Sequence, residues 1–271
     1  MKAFLEMEFH RAFRSAGFRL SVLCGIIIAG IDFVTFFSTY KLLADEKVVA
    51  QAWIGLDYQF AYNSLFFLLV PLFATFAYAG SYFEDMRSGY IKNLMIKVSR
   101  KEYFFTKYLV SFVSGAIVVA IPLIINLMVC MSFFSLRIPE KLRGLHGGAN
   151  VDAKCLSELF YSNTFYYCLV FILIDMIYAG CIAVFSICIA DFTDNLFSTV
   201  TIPFAVVTLS SVILSDLECF EKTNSNLSIM VIINPMQVSI TTGLTMILMP
   251  VCMSFVSILW IFLKQRNKDI V

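Results

Sequence analysis

Two aspartates, Asp32 and Asp175, sit in the middle of apolar runs. A central carboxylate facing lipid costs roughly 2.5–3.5 kcal/mol on an insertion scale, so each must face protein or water. Three roles suit such a group: a polar station on a translocation path, a contact between subunits, or a hydrogen bond to a neighbouring Ser, Thr or Tyr that fixes helix packing. No Lys or Arg lies in the interior of any run to pair with either one. Asn126, which shares a third run with Pro122, is the other polar candidate, and Pro122 and Pro203 can bend helices and open a cleft. Metal chemistry is poorly served, because His10 and His146 are the only histidines and neither has a ligand partner at helical spacing. No G-x-x-x-x-G-K-[ST] phosphate loop occurs, so ATP hydrolysis through that motif is excluded. The densest chemistry is polar and lies at 84–107, where Arg87, Lys92, Lys97, Arg100, Lys101 and Lys107 mix with Glu84, Asp85 and Glu102. The same segment keeps Tyr90, Ile91, Leu94, Met95 and Val98 at helical spacing, which a plain loop does not need. It predicts a short helix with an apolar face available for docking, then a basic turn at Ser99-Arg100-Lys101 that starts the next helix. A solvated, positively charged loop resting on the membrane is the alternative.

The elements that hold these residues must cross a membrane. Of 271 residues 60% are hydrophobic and 14% charged, with a mean hydropathy of +0.84. Runs of twenty or more apolar residues match a hydrocarbon layer about 30 Å thick and exclude an ordinary soluble enzyme. A net charge of +1 offers no basic surface for nucleic acid. Spans are expected at 18–39, 60–82, 108–134, 165–190 and 196–214. The last apolar region is broken at Asn234-Pro235 and Thr241-Thr242-Gly243, which predicts a short helical or re-entrant element at 229–242 and a sixth span at 244–263. The fold class is therefore all-α: a polytopic, six-helix membrane protein forming one domain over 1–271. Residues 1–16 place Leu5, Phe9, Ala12, Phe13 and Ala16 on one helical face, with Glu6, His10, Arg11 and Arg14 elsewhere, as suits an interfacial helix. A secretory signal peptide is the competing reading, disfavoured by the length of the first run and the lack of an A-x-A-like site.

Thirteen of the twenty Lys and Arg fall on the side of the termini, which predicts cytoplasmic termini in the plasma membrane. The acidic connection at 191–195 lies on that side and adds nothing to the tally. No internal repeat supports an inverted-repeat carrier. Gly144, Gly147, Gly148 and Pro139 mark 135–164 as an irregular outer loop, with a short helix near 153–161. Six cysteines lie in or near spans as small apolar packing residues. Cys155 and Cys219 are both expected outside and are a conceivable disulfide pair in an oxidising compartment. Asn226-Leu227-Ser228 fits a glycosylation acceptor, a triplet that also arises by chance.

Glu84, Gly89, the Leu94 stripe, Val98-Ser99-Arg100, Tyr103 and Lys107 together form a pattern that resembles the membrane subunits of type-2 ABC exporters. Ile233-Asn234-Pro235 before the last span is similar to an element of that family, and the six-span layout with an interfacial helix extends the resemblance over the whole chain. The resemblance implies a permease that pairs with a second, identical or homologous permease and with two separate cytoplasmic ABC ATPase subunits. ATP and Mg would belong to those ATPases, with no cofactor in this chain, which would not itself be an enzyme. It also implies that 84–97 is the coupling helix seated in the ATPase, so Glu84, Asp85, Arg87, Tyr90, Ile91, Leu94 and Lys97, with Arg100 behind them, would carry the coupling. Residues 4–14 would be the connecting helix beside it. Asp32, Asn126 and Asp175 are candidate polar residues of the path or of an interface. Short outer loops and modest size lean toward an antimicrobial peptide or a hydrophobic small molecule as cargo. An intramembrane protease using Asp32 and Asp175, and an ATP-independent channel or secondary carrier, are the alternatives.

Overall fold

The computed structural model describes residues 2–41, 48–57, 61–136, 155–221, 232–235, 250–253, 257 and 259, excepting the side chains of 79, 92 and 214–221. Among these residues the chain is helical throughout: α1 (Lys2–Arg14), α2 (Ala16–Tyr40), α3 (Val49–Ala52), α4 (Ala61–Arg87), α5 (Tyr90–Leu94), α6 (Arg100–Phe133), α7 (Ser157–Ser162), α8 (Thr164–Ala190) and α9 (Leu196–Glu221). Five segments are long and apolar enough to cross a membrane: α2, α4, α6, α8 and Leu196–Ile213 of α9. The chain is thus compatible with a multi-pass membrane protein. The expected element at 229–242 and the span at 244–263 lie largely outside the described residues.

Local sequence sets the helix ends. Ser15 separates α1 from α2 and caps the latter, its hydroxyl accepting from the Phe18 amide at 3.1 Å. Ser99 caps α6 by accepting from the Glu102 amide at 3.4 Å, with serine and glutamate at capping-box spacing. The basic turn expected to start a helix therefore does so at Arg100, eight residues before the expected span. α4 likewise runs on to Arg87, so Glu84 and Asp85 belong to its last turn rather than to a loop. Gly89, at φ 69°, takes the left-handed turn between α4 and α5, a conformation that costs other residues roughly 1–2 kcal/mol. The helical part of the segment expected to couple is thereby a five-residue helix on a short finger between α4 and α6.

α6 and α8 form the packed centre of the bundle, with α4 against both and α2 and α9 at the flanks. Small residues permit the close crossings, as expected where lipid removes any hydrophobic drive between helices. A Cβ on Gly115 of α6 would stand 2.6 Å from the Ala183 Cβ and 3.1 Å from the Ala179 carbonyl oxygen of α8. α2 is one-sided: Ser21, Gly25, Ala29 and Asp32 face protein, whereas Leu23, Ile27, Ile31 and Val34 are exposed as a stripe suited to lipid.

Residues 48–57, between α2 and α4, fold into the bundle instead of lying over it. Val49, Ala52, Trp53 and Ile54 are all inaccessible. Trp53 Nε1 donates to the Leu123 carbonyl at 3.3 Å, and the Val49 amide to the Ser135 carbonyl at 2.9 Å. The short helix expected near 153–161 is α7, slightly later in sequence. Cys155 is a free thiol, and the Cys219 side chain of the suggested disulfide lies outside the described residues. Residues 226–228 also lie outside them.

Candidate functional site

The strongest concentration of chemistry lies where α1 meets the ends of α4 and α6. Lys107 is fully buried there, and its Nζ makes ion pairs with Glu8 Oε2 at 2.7 Å and Asp85 Oδ2 at 2.6 Å. Ser81 Oγ and Tyr78 Oη accept from the same ammonium at 3.0 and 3.2 Å. An ammonium has three protons, so these four acceptors share them. Tyr78 Oη donates in turn to Glu8, and Tyr103 Oη donates to Asp85 at 3.4 Å. Arg11 closes the network from the solvent side, 2.7 Å from Asp85 and 3.8 Å from Glu84. Partial burial alone would lower the Arg11 pKa, but the hydrogen bond to Asp85 and the charges around it outweigh that and hold it above its ordinary value. Glu8, Asp85, Lys107 and Arg11 sum to zero formal charge, the condition under which buried ions are tolerable.

The network adds a buried charge to the apolar face expected of α1, of which Leu5, Phe9 and Ala12 pack on the bundle. The residues that α1 buries are Phe4, Glu8 and Ala12, whereas Phe13 and Ala16 are exposed. The helix is turned so that Glu8 reaches Lys107, and the apolar side chains beside it follow. Phe4 stacks on Tyr103, with ring centroids 6.1 Å apart, and joins an apolar cluster with Tyr82, Phe83, Phe104 and Tyr108.

Ile91 and Leu94 of α5 are buried in that same cluster, which also contains Ile187 and Ala190 of α8. Most of the stripe read as a free docking face is therefore used within the chain, with Met95 and Val98 packed on the same cluster. What the finger leaves exposed is Tyr90, Asn93, Lys97 and above all Ile96, at 84%. Of the other coupling candidates, Glu84 and Arg87 are exposed, with Arg87 5.0 Å over the Phe83 ring, Arg100 is half-buried, and Asp85 sits inside the ion network. The acidic connection after α8 also has a partner, since Tyr82 donates to Asp191 Oδ1 at 2.7 Å. The finger base is thus tied to α1, α4, α6 and α8 together.

The other polar candidates lie toward the far end of the bundle. Asn126 Nδ2 donates to the Ala29 carbonyl at 2.9 Å, and its Oδ1 accepts from the Ile54 amide at 3.0 Å. It pins the buried 48–57 segment between α2 and α6. Asn63 donates to the Ile54 carbonyl, and Asn234 donates to Asn63 Oδ1 at 2.8 Å. Asp32, one turn beyond Ala29, is buried and interacts electrostatically with buried Asp57. Neither Asp32 nor Asp175 hydrogen-bonds any described residue, and no interaction joins the two. Asn126 therefore packs on the stretch of α2 that leads to Asp32. Among the described residues no group of three or more His, Cys, Asp and Glu could hold a metal ion.

Sequence reasoning passed over Glu8, Asp57 and Asn63. Glu8 carried a signal, being a charge at four-residue spacing between Phe4 and Ala12 on what becomes the buried stripe. Asp57 and Asn63 carried none, because only folding makes their segment interior. No protein-family model, curated protein or solved structure matches this chain.

Proposed function

We propose that the chain is the membrane-spanning subunit of an ATP-binding-cassette exporter in the plasma membrane, moving cargo with a second permease and driven by separate ATPase subunits that bind ATP and Mg. The observation that carries this reading is the finger between α4 and α6, whose base is cross-tied by buried charges to α1. A push on α5 cannot be absorbed by a soft loop, since only Ser88, Gly89 and residues 95–99 separate it from the two long helices. It is passed to α4 and α6 directly and to α1 through Lys107. Such stiffness suits a part that receives work from another protein. The contact with the ATPase is assigned to Tyr90, Asn93, Ile96 and Lys97, with Glu84 and Arg87 beside them. Ile91 and Leu94 hold the finger in place. The lack of interaction between Asp32 and Asp175 weighs against a two-aspartate protease. An antimicrobial peptide or hydrophobic small molecule remains the proposed cargo.

The experiment compares Ile96→Glu with Leu94→Ser in the full chain co-expressed with its ATPase. Ile96→Glu should abolish ATPase copurification and stimulation while leaving the chain's thermal stability unchanged. Leu94→Ser should lower stability first. ATP-independent transport by the isolated chain in liposomes, or full stimulation by Ile96→Glu, would overturn the assignment.

A further inference from the structure

We infer that the α1–α2 junction binds one anionic phospholipid from the adjoining leaflet, its phosphate beside Arg14 and an acyl chain in the groove between α2, α4 and α9. This does not depend on the transport reading.

Two cavities meet here. The first, of about 570 Å³, is polar and is bounded by His10, Arg11, Arg14, Ser15, Ser81 and Glu84. The second, of about 510 Å³, is apolar, with Leu20, Phe73 and Phe197 on its walls. Phe76, Leu196 and Val200 line both, so the two adjoin across these side chains. Each lies within the roughly 300–1,000 Å³ typical of ligand sites. A charged end opening into a greasy groove at the start of a membrane span has the amphipathic order of a phospholipid. A second copy of the chain would need an apolar surface carrying its own anion at the same height.

The charge balance favours an anion. Arg11 is matched by Asp85 at 2.7 Å, and Glu84 lies 3.8 Å from that same guanidinium. Arg14 meets no carboxylate among the described residues, and its Nη1 lies 3.1 Å from His10 Nε2. Ala16 and Gly17, which also line the polar cavity, form the first turn of α2, where amides point out of the helix and favour negative charge. An independent observation lies deeper. Ser21 lines the apolar groove, is 3% exposed, and its hydroxyl has no hydrogen-bond partner among the described residues. It stands about 6 Å beyond Gly17 along α2, at four residues of helical rise. A glycerol ester carbonyl at that depth would accept its proton.

The test uses the full chain in detergent, with dioleoyl phosphatidylglycerol and dioleoyl phosphatidylcholine as probes and native mass spectrometry as readout. The wild type should retain one phosphatidylglycerol in preference to phosphatidylcholine. Arg14→Gln should weaken that retention about five-fold, the worth of one surface cation toward anionic lipid. Val200→Trp, which fills the junction, should abolish it. Phe197→Trp provides a second readout at an exposed position, and its fluorescence should be quenched more by brominated phosphatidylglycerol than by brominated phosphatidylcholine in vesicles. Equal retention or quenching by the two lipids would overturn the proposal. So would displacement of the lipid by inorganic phosphate at matched concentration. A Phe197→Cys disulfide dimer in native membranes would also sink it, by showing that a second copy covers the groove.

Discussion

Replacing Lys107 by methionine keeps the length of the side chain and removes its charge. Glu8 and Asp85, both buried, then lose a cation at 2.7 and 2.6 Å. Asp85 retains Arg11 at 2.7 Å, but the nearest remaining cation to Glu8 is the same Arg11 at 3.9 Å, so Glu8 bears most of the damage. Breaking a buried ion pair from one side costs about 3–5 kcal/mol, because a charge is left desolvated and unmatched. That is a change of roughly a hundred- to several-thousand-fold in the opening equilibrium. The ion pair that then still ties α1 to the bundle, Arg11 with Asp85, is half-exposed on the arginine side, so the opening should begin with detachment of α1. Denaturation of the purified chain by sodium dodecyl sulfate in mixed micelles would measure the loss, and amide exchange along 2–14 would locate it. The double variant Glu8→Gln with Lys107→Met supplies the control: it removes both members of the pair and leaves Asp85 with Arg11. It should be less damaging than the sum of the single changes by about 0.5–3 kcal/mol, the coupling expected of contacting residues. If Lys107→Met unfolds with wild-type stability, or the double variant costs the full sum, the ion network does not hold α1.

Gly115→Ala should destabilise the bundle by about 1–3 kcal/mol, since the new methyl meets the Ala183 Cβ at 2.6 Å and backbone oxygen at 3.1 Å; the same denaturation assay reads it. Asn126→Leu leaves the Ile54 amide without its acceptor, at about 1–3 kcal/mol, while the Ala29 carbonyl keeps its bond within α2. It should speed amide exchange across 48–57 while leaving α1 protected, and unchanged exchange there would refute the pinning role.

Much of the helical plan was legible because its determinants are local. Ser15, Ser99 and Asn163 accept from amides three residues on, and each stands at a helix start. Five apolar runs became five long helices for the reason that lipid demands, that each backbone group be satisfied within its own segment. The ends were less legible. α4 and α6 outrun their apolar stretches because Asp85 and Lys107 extend them with charges that neutralise one another, and a hydropathy window ends a span at the first such charge.

By itself the sequence determined a helical chain with several runs apolar enough to cross a membrane, and a charged, amphipathic segment between the second and third of them. Apolar period and run length are properties of neighbouring residues and need no knowledge of the fold. Only the tertiary structure decided which side of that segment is free, which face α1 buries, and that 48–57 is interior. Those outcomes rest on pairs far apart in the chain, such as Glu8 with Lys107 and Ile54 with Asn126. A buried charge or amide is tolerated only where its partner arrives, and that arrival is set by how the helices cross.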